Sequence, residues 1–252
     1  MFFKIISQAI SDVWEMRGVL ARALIVLFTL LIILNIVQVQ LPGSPFSIIV
    51  VILTAGINTL FAVTVHRVVL LGPDAVPRWG LFKWTMRESL FLLHFLGLML
   101  TMLPLGWIFP GPVSEPTLIT GSLIAYVALC WLWGRLSLVF PAIAMDQKVS
   151  YLYSWEHTKG YGGLMFGVVI IFPIILSVFT TILNFLPLAL KGPEPYYKYM
   201  AVVQVASNIL ITLTTVFVIA TLSVAYKEIC KEVYGEESPE PDEKVAPKNR
   251  KI

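Results

Sequence analysis

Long apolar runs alternate with short polar stretches along the chain, and a run of roughly 20 apolar residues is what a helix needs to cross hydrocarbon. The alternation predicts six such helices, at about 19 to 40, 46 to 71, 89 to 109, 117 to 139, 164 to 189 and 199 to 226. No charged residue falls between Arg22 and Arg67, Glu88 and Glu115, Glu115 and Arg135, Lys159 and Lys191, or Lys198 and Lys227. The first of these gaps holds two helices, because Leu41-Pro42-Gly43-Ser44-Pro45 is a turn signal in its middle.

Polar stretches with a period of their own separate the apolar runs. Residues 2 to 17 place Phe3, Ile6, Ile10, Val13 and Trp14 on one helical stripe, with Lys4, Ser7, Gln8, Ser11, Asp12 and Glu15 away from it, which predicts an interfacial amphipathic helix. No small-residue cleavage site follows the first apolar run, so a secretory signal peptide is disfavoured. Residues 78 to 88 repeat the plan, with Trp79, Phe82 and Trp84 as aromatic anchors and Arg78, Lys83 and Arg87 among them. Tyr151, Tyr153 and Trp155 take the same place a third time.

The repetition is periodic. Trp14-Glu15-Met16-Arg17 recurs 70 residues later as Trp84-Thr85-Met86-Arg87, and a weaker echo, Trp155 to Lys159, follows after a further 71. Arg67 and Arg135 each have a Leu three residues on and a Pro six residues on. A fixed period of this kind marks internal duplication. The expected fold is therefore all-α and polytopic: six transmembrane helices arranged as three related hairpins, each preceded by a cytoplasmic interfacial helix. It occupies residues 1–235, and a charged, Pro-rich tail, 236–252, is expected to be disordered.

Composition agrees with the class. The chain is 58% hydrophobic and 13% charged, with a mean hydropathy of +0.84, whereas soluble domains are near a quarter charged. Orientation follows from the basic residues: with both termini cytoplasmic, only Lys191 and Lys198 of the 18 lie outside. The two cysteines fall in the fourth helix, Cys130, and at the inner end of the sixth, Cys230, so no disulfide is expected.

Two sets of residues carry the candidate chemistry. Asn58, His94 and Asn208 are the polar groups inside spans, where a polar side chain is either a helix-to-helix hydrogen bond or part of a polar path. No Asp or Glu lies in the apolar part of a span to complete a proton relay with His94. Arg67, Arg87, Arg135 and Lys159 stand at the inner helix ends, where they can reach lipid phosphates, and for Arg67 and Arg135 a linker carboxylate is the other partner, with Asp74, Asp146 and Glu156 the available acids. The chain has no HExxH, no Cys or His set with metal spacing, no Gly-x-Ser-x-Gly and no P-loop, so no enzyme, metal or cofactor is expected. Its basic residues suit anionic headgroups rather than nucleic acid.

His66-Arg67-x-x-Leu70-Leu71-Gly72 and Arg135-Leu136-x-Leu138-x-x-Pro141-Ala142, followed by Ser154 and Thr158-Lys159-Gly160, resemble a broad group of uncharacterised bacterial inner-membrane proteins. That group includes YciC-like proteins and the membrane domain attached to some glycerophosphoryl diester phosphodiesterases. The resemblance implies a bacterial plasma-membrane location and no settled activity, since the phosphodiesterase chemistry belongs to a soluble domain that this sequence does not contain. Two readings of function follow. The favoured one is a non-catalytic scaffold or accessory protein that engages lipid or a membrane protein partner at the cytoplasmic face. The alternative is a transporter of a small solute, built on three hairpins, a kink at Pro173, and Asn58, His94 and Asn208.

Overall fold

The computed structural model describes residues 1–40, 43–103, 116–191 and 193–234, and these form helices joined by short non-helical segments, with no strand among them. The helices are α1 (Phe2–Glu15), α2 (Arg17–Gln40), α3 (Phe46–Leu71), α4 (Met86–Leu100), α5 (Pro116–Leu136), α6 (Val139–Ala144), α7 (Tyr151–His157), α8 (Gly162–Phe166), α9 (Phe172–Lys191) and α10 (Pro193–Tyr234). Five runs among the described residues are long and apolar enough to cross a membrane: Arg17–Gln38, Phe46–Leu71, Thr120–Ala144, Gly162–Phe185 and Val202–Val233. The third expected crossing, 89 to 109, begins in α4, which has 15 residues. Residues 104–115, with Trp107 and Glu115, lie outside the described residues, as do the side chains of Lys191 and Lys198 and the tail 236–252.

Prolines set the breaks within the long helices. Pro141 has no amide to bond the Ser137 carbonyl, and the chain turns at Ser137 and Leu138, where the Phe140 amide takes that carbonyl at 3.1 Å. Pro173 follows a π-helical turn over Gly167–Ile171, the widening that a missing i to i−4 bond produces.

The core is built by α1, α2, α3, α6 and α10. α1 divides its apolar residues between two faces. Ile5 and Ala9 are fully buried and Val13 nearly so, packed against α10, whereas Phe3, Ile10 and Trp14 remain exposed. A salt bridge of 2.8 Å from Lys4 to Glu228 fixes α1 beside the last turns of α10. The start of the chain and the end of α10 are thus at the same end of the bundle, together with the segments that follow α3 and α6; this is called the linker end below.

The second interfacial segment differs from expectation. Residues 78 to 85 form no helix, since Pro77 precedes them and Gly80 adopts φ +92°. A Cβ on Gly80 would stand 2.3 Å from the Ala23 carbonyl, so only glycine lets this strap lie against α2. α4 also runs differently from a simple descending helix. Its residue Phe91 packs against the tilted rings of His66 and Phe140, the His94 carbonyl accepts from the Tyr151 hydroxyl, and Thr101 accepts from Trp133 in the last turns of α5 at 2.9 Å. A Cβ at Gly97 would clash with that Tyr151 hydroxyl at 2.7 Å, so glycine admits the tyrosine. All four contacts are with residues near the linker end.

Candidate functional site

The linker end gathers most of the buried ionisable groups. Arg67, near the last turn of α3, donates to Asp146 Oδ2 at 2.7 Å and to the Ala144 carbonyl at 2.8 Å. Arg87, in the first turn of α4, donates to the other oxygen of the same carboxylate, Oδ1, at 2.8 Å. Asp146 adopts φ +66° just beyond α6, a left-handed conformation that Asp tolerates better than most side chains. One carboxylate therefore clamps two helix ends to a third.

The network continues into α4. Arg87 also pairs with Glu88 at 2.8 Å, and Glu88 is fully buried. Its carboxylate reaches back to the Thr85 amide at 2.8 Å and accepts from the Thr85 hydroxyl, so the acid closes the start of the helix in capping-box fashion. Burial pushes the Glu88 carboxyl up, but hydrogen bonds from Thr85 and Arg87 and the Arg87 charge outweigh it and hold the group below its ordinary value. Two guanidiniums face two carboxylates. The network is neutral as a whole.

Arg135 occupies the corresponding place at the end of α5 and solves it by other means. Only 8% exposed, it lies over the Trp155 ring at 3.6 Å and the Trp131 ring at 5.2 Å. Its Nε donates to the Thr158 hydroxyl at 3.1 Å and its terminal nitrogen to the Trp155 carbonyl, while its own carbonyl accepts from Ser154 at 2.7 Å. Among the described residues no carboxylate pairs with it. Tyr153, two residues before Trp155, points its hydroxyl toward Tyr226 on α10.

Behind Arg67, His66 is buried and its Nδ1 shares a hydrogen bond of 2.7 Å with Ser223 of α10, while Lys227 donates to the Val69 carbonyl at 2.6 Å. These bonds register α3 against α10. Lys159 is exposed, with no side-chain partner among the described residues.

The intramembrane set is dispersed. Asn58 is exposed on α3, His94 turns its Nδ1 to the Leu90 carbonyl of its own helix at 2.8 Å, and Asn208 is buried in α10 with its amide nitrogen unpartnered. No hydrogen bond or ring contact joins any two of the three. Asn184 and Ser207 do meet, the hydroxyl donating to the amide oxygen at 3.1 Å.

Of the three linker acids that the sequence offers to Arg67 and Arg135, Asp146 is the one that Arg67 meets, whereas Glu88 and Thr85 are not singled out by the sequence reading. Glu88 had a readable signal, since Thr85-Met-Arg-Glu88 is the Thr-x-x-Glu spacing of a capping box ahead of an apolar run. Nothing local chooses Asp146 over Asp74 and Glu156 or adds Arg87 to it, because its partners lie 79 and 59 residues away in sequence.

No metal-binding group of three or more His, Cys, Asp or Glu occurs among the described residues. No family model, no curated protein and no solved structure matches the chain.

Proposed function

We propose that the chain is a multi-pass protein of a bacterial plasma membrane, without catalytic activity, whose linker end faces the cytoplasm and holds anionic lipid as a scaffold for the membrane surface. The observation that carries this reading is the division of cations at that end. Arg67, Arg87 and Arg135 are engaged within the chain, whereas Arg17, Arg22, Arg78, Lys83 and Lys159 are exposed and pair with no carboxylate among the described residues. Exposed Trp14, Trp79, Phe82, Trp84 and Trp155 are interleaved with them, as in an interfacial aromatic belt. Arg22 and Arg78 also line a cleft of about 300 Å³ with Asp74, between α2 and the turn after α3.

Placing α1 beside the end of α10 calls for an even number of crossings, which supports six with both termini inside. Cysteines placed at Asp74 and Asp146 should be shielded from an impermeant external reagent, and ones at Gly111 and Glu194 labelled. The lipid reading itself is tested by melting the purified protein in detergent with phosphatidylglycerol or phosphatidylcholine, over increasing salt. Preferential stabilisation by phosphatidylglycerol that fades as the Debye length shrinks from ~10 Å to ~3 Å supports it. Equal stabilisation by both lipids at low salt refutes it.

Transport of a small solute is the second reading, and one observation favours it. A cleft of about 520 Å³ between α9 and α10 is lined by Ser177, Thr180, Thr181, Asn184 and Thr214 beside Pro173. Several of these groups are bonded to their own helix, Ser177 to Ile174, Thr181 to Ser177 and Asn184 to Thr180, which leaves few donors to receive a solute.

A further inference from the structure

A second groove runs along the outside of the bundle, between α2 and α10, with Phe61 of α3 as its floor. Its volume is about 360 Å³, within the range of small-ligand pockets, roughly 300–1,000 Å³. Leu20, Leu24 and Phe28 form one wall and Ile209, Leu213 and Val216 the other. Thr212 also lines it, but its hydroxyl donates to the Asn208 carbonyl at 2.8 Å, so the wall offers no open hydrogen-bonding group. Only hydrocarbon suits such a surface.

One end is different. Arg17 closes the groove at the linker end, exposed, bonded by one nitrogen to the Trp14 carbonyl at 2.7 Å and stacked on the Trp14 ring at 4.8 Å. That posture holds the guanidinium in place while leaving donors open, and no carboxylate among the described residues pairs with it. From Arg17 to Phe28 a helix rises roughly 17 Å, about half of the ~30 Å hydrocarbon thickness, which is the depth of one leaflet. A cation at headgroup level above a dry, leaflet-deep groove matches one kind of molecule.

We infer that this groove holds one acyl chain of a phospholipid, with Arg17 on its phosphate. The inference rests on the lipid reading above but names a discrete site, to which Arg17 contributes and Arg22, Arg78, Lys83 and Lys159 do not. Phosphate is common to zwitterionic and anionic phospholipids, so groove occupancy does not require a net negative headgroup, whereas the surface interaction does.

The test is native mass spectrometry of the full chain, delipidated in mild detergent and supplied with phosphatidylcholine. Wild type retains one phospholipid. Ala21→Trp and Leu213→Trp, at exposed positions on opposite walls, fill the groove without entering the core, and each lowers the retained fraction about tenfold, with Arg17→Gln lowering it about threefold. Leu123→Trp, at an exposed position on α5 that does not line the groove, leaves it unchanged. Equal retention by wild type and both tryptophan variants overturns the site. A wild type that retains its lipid through the groove yet melts alike in phosphatidylglycerol and phosphatidylcholine keeps the site and overturns the surface reading.

Discussion

Arg67 and Arg135 stand at matching positions of the sequence pattern, yet the molecule satisfies them by opposite chemistry. Arg67 meets a carboxylate that a second arginine shares, in a network of four charges. Arg135 meets two indole rings, a threonine hydroxyl and a backbone carbonyl, with no counter-charge among the described residues. Arg67 ties the end of α3 to the segment after α6, whereas Arg135 ties the end of α5 to α7 and the residue after it. A buried cation needs compensation for lost hydration, and either a paired acid or an aromatic and carbonyl cage can supply it. Both guanidiniums end an apolar helix, and the segment that reaches each one fixes the means.

The comparison breaks most sharply at Asp146. Asp146→Asn leaves Arg67 and Arg87 without their shared acid, and removing one member of a largely buried pair costs on the order of 3 kcal/mol. A melting temperature in detergent that falls by several degrees is the expected outcome, whereas Asp74→Asn, on an exposed turn, changes it little. Arg135→Lys is expected to cost less, about 1–2 kcal/mol, because the ammonium keeps a cation over Trp155 but loses the planar stack and the fork of donors. Trp155→Leu should match it, and the pair should be non-additive, since they remove one interaction.

Acid sharpens the same contrast. The Glu88 carboxyl is held below its ordinary value of 4.5, so its contribution is present above that pH and is lost as pH falls through the depressed value. Wild type should melt at a steady temperature from neutral pH down to about that ordinary value, then lose stability below it. Glu88→Gln should flatten this acid limb, and Arg135→Lys should leave its shape unchanged.

Some of the fold is legible in the sequence. The bounds of α3 coincide with the apolar run 46 to 71, because Pro45 and Gly72 punctuate both ends. The breaks at Pro141 and Pro173 follow from proline chemistry alone. The strap at 78 to 85 was not legible, since its aromatic and cationic pattern fits an amphipathic helix and only the fit of Gly80 against Ala23 shows why it is extended. The candidate site was legible by half. Arg67, Arg87 and Arg135 are singled out by position, but their partners come from distant segments that no local pattern links to them. Equally, the apolar stripe of residues 2 to 17 leaves out Ile5 and Ala9, the residues that bury against α10, because composition does not tell a face turned to lipid from a face turned to protein.

The central claim is that internal arginines hold the linker end together while exposed cations meet anionic lipid. It is tested most directly by melting three proteins, each with phosphatidylglycerol and with phosphatidylcholine at low salt: wild type, Arg67→Lys, and a variant with Arg22, Arg78, Lys83 and Lys159 changed to Gln. Arg67→Lys should melt lower than wild type in both lipids by the same amount, and the four-fold variant should lose most of the extra stabilisation that phosphatidylglycerol gives wild type. An undiminished preference for phosphatidylglycerol in the four-fold variant, or its selective loss in Arg67→Lys, would contradict the account.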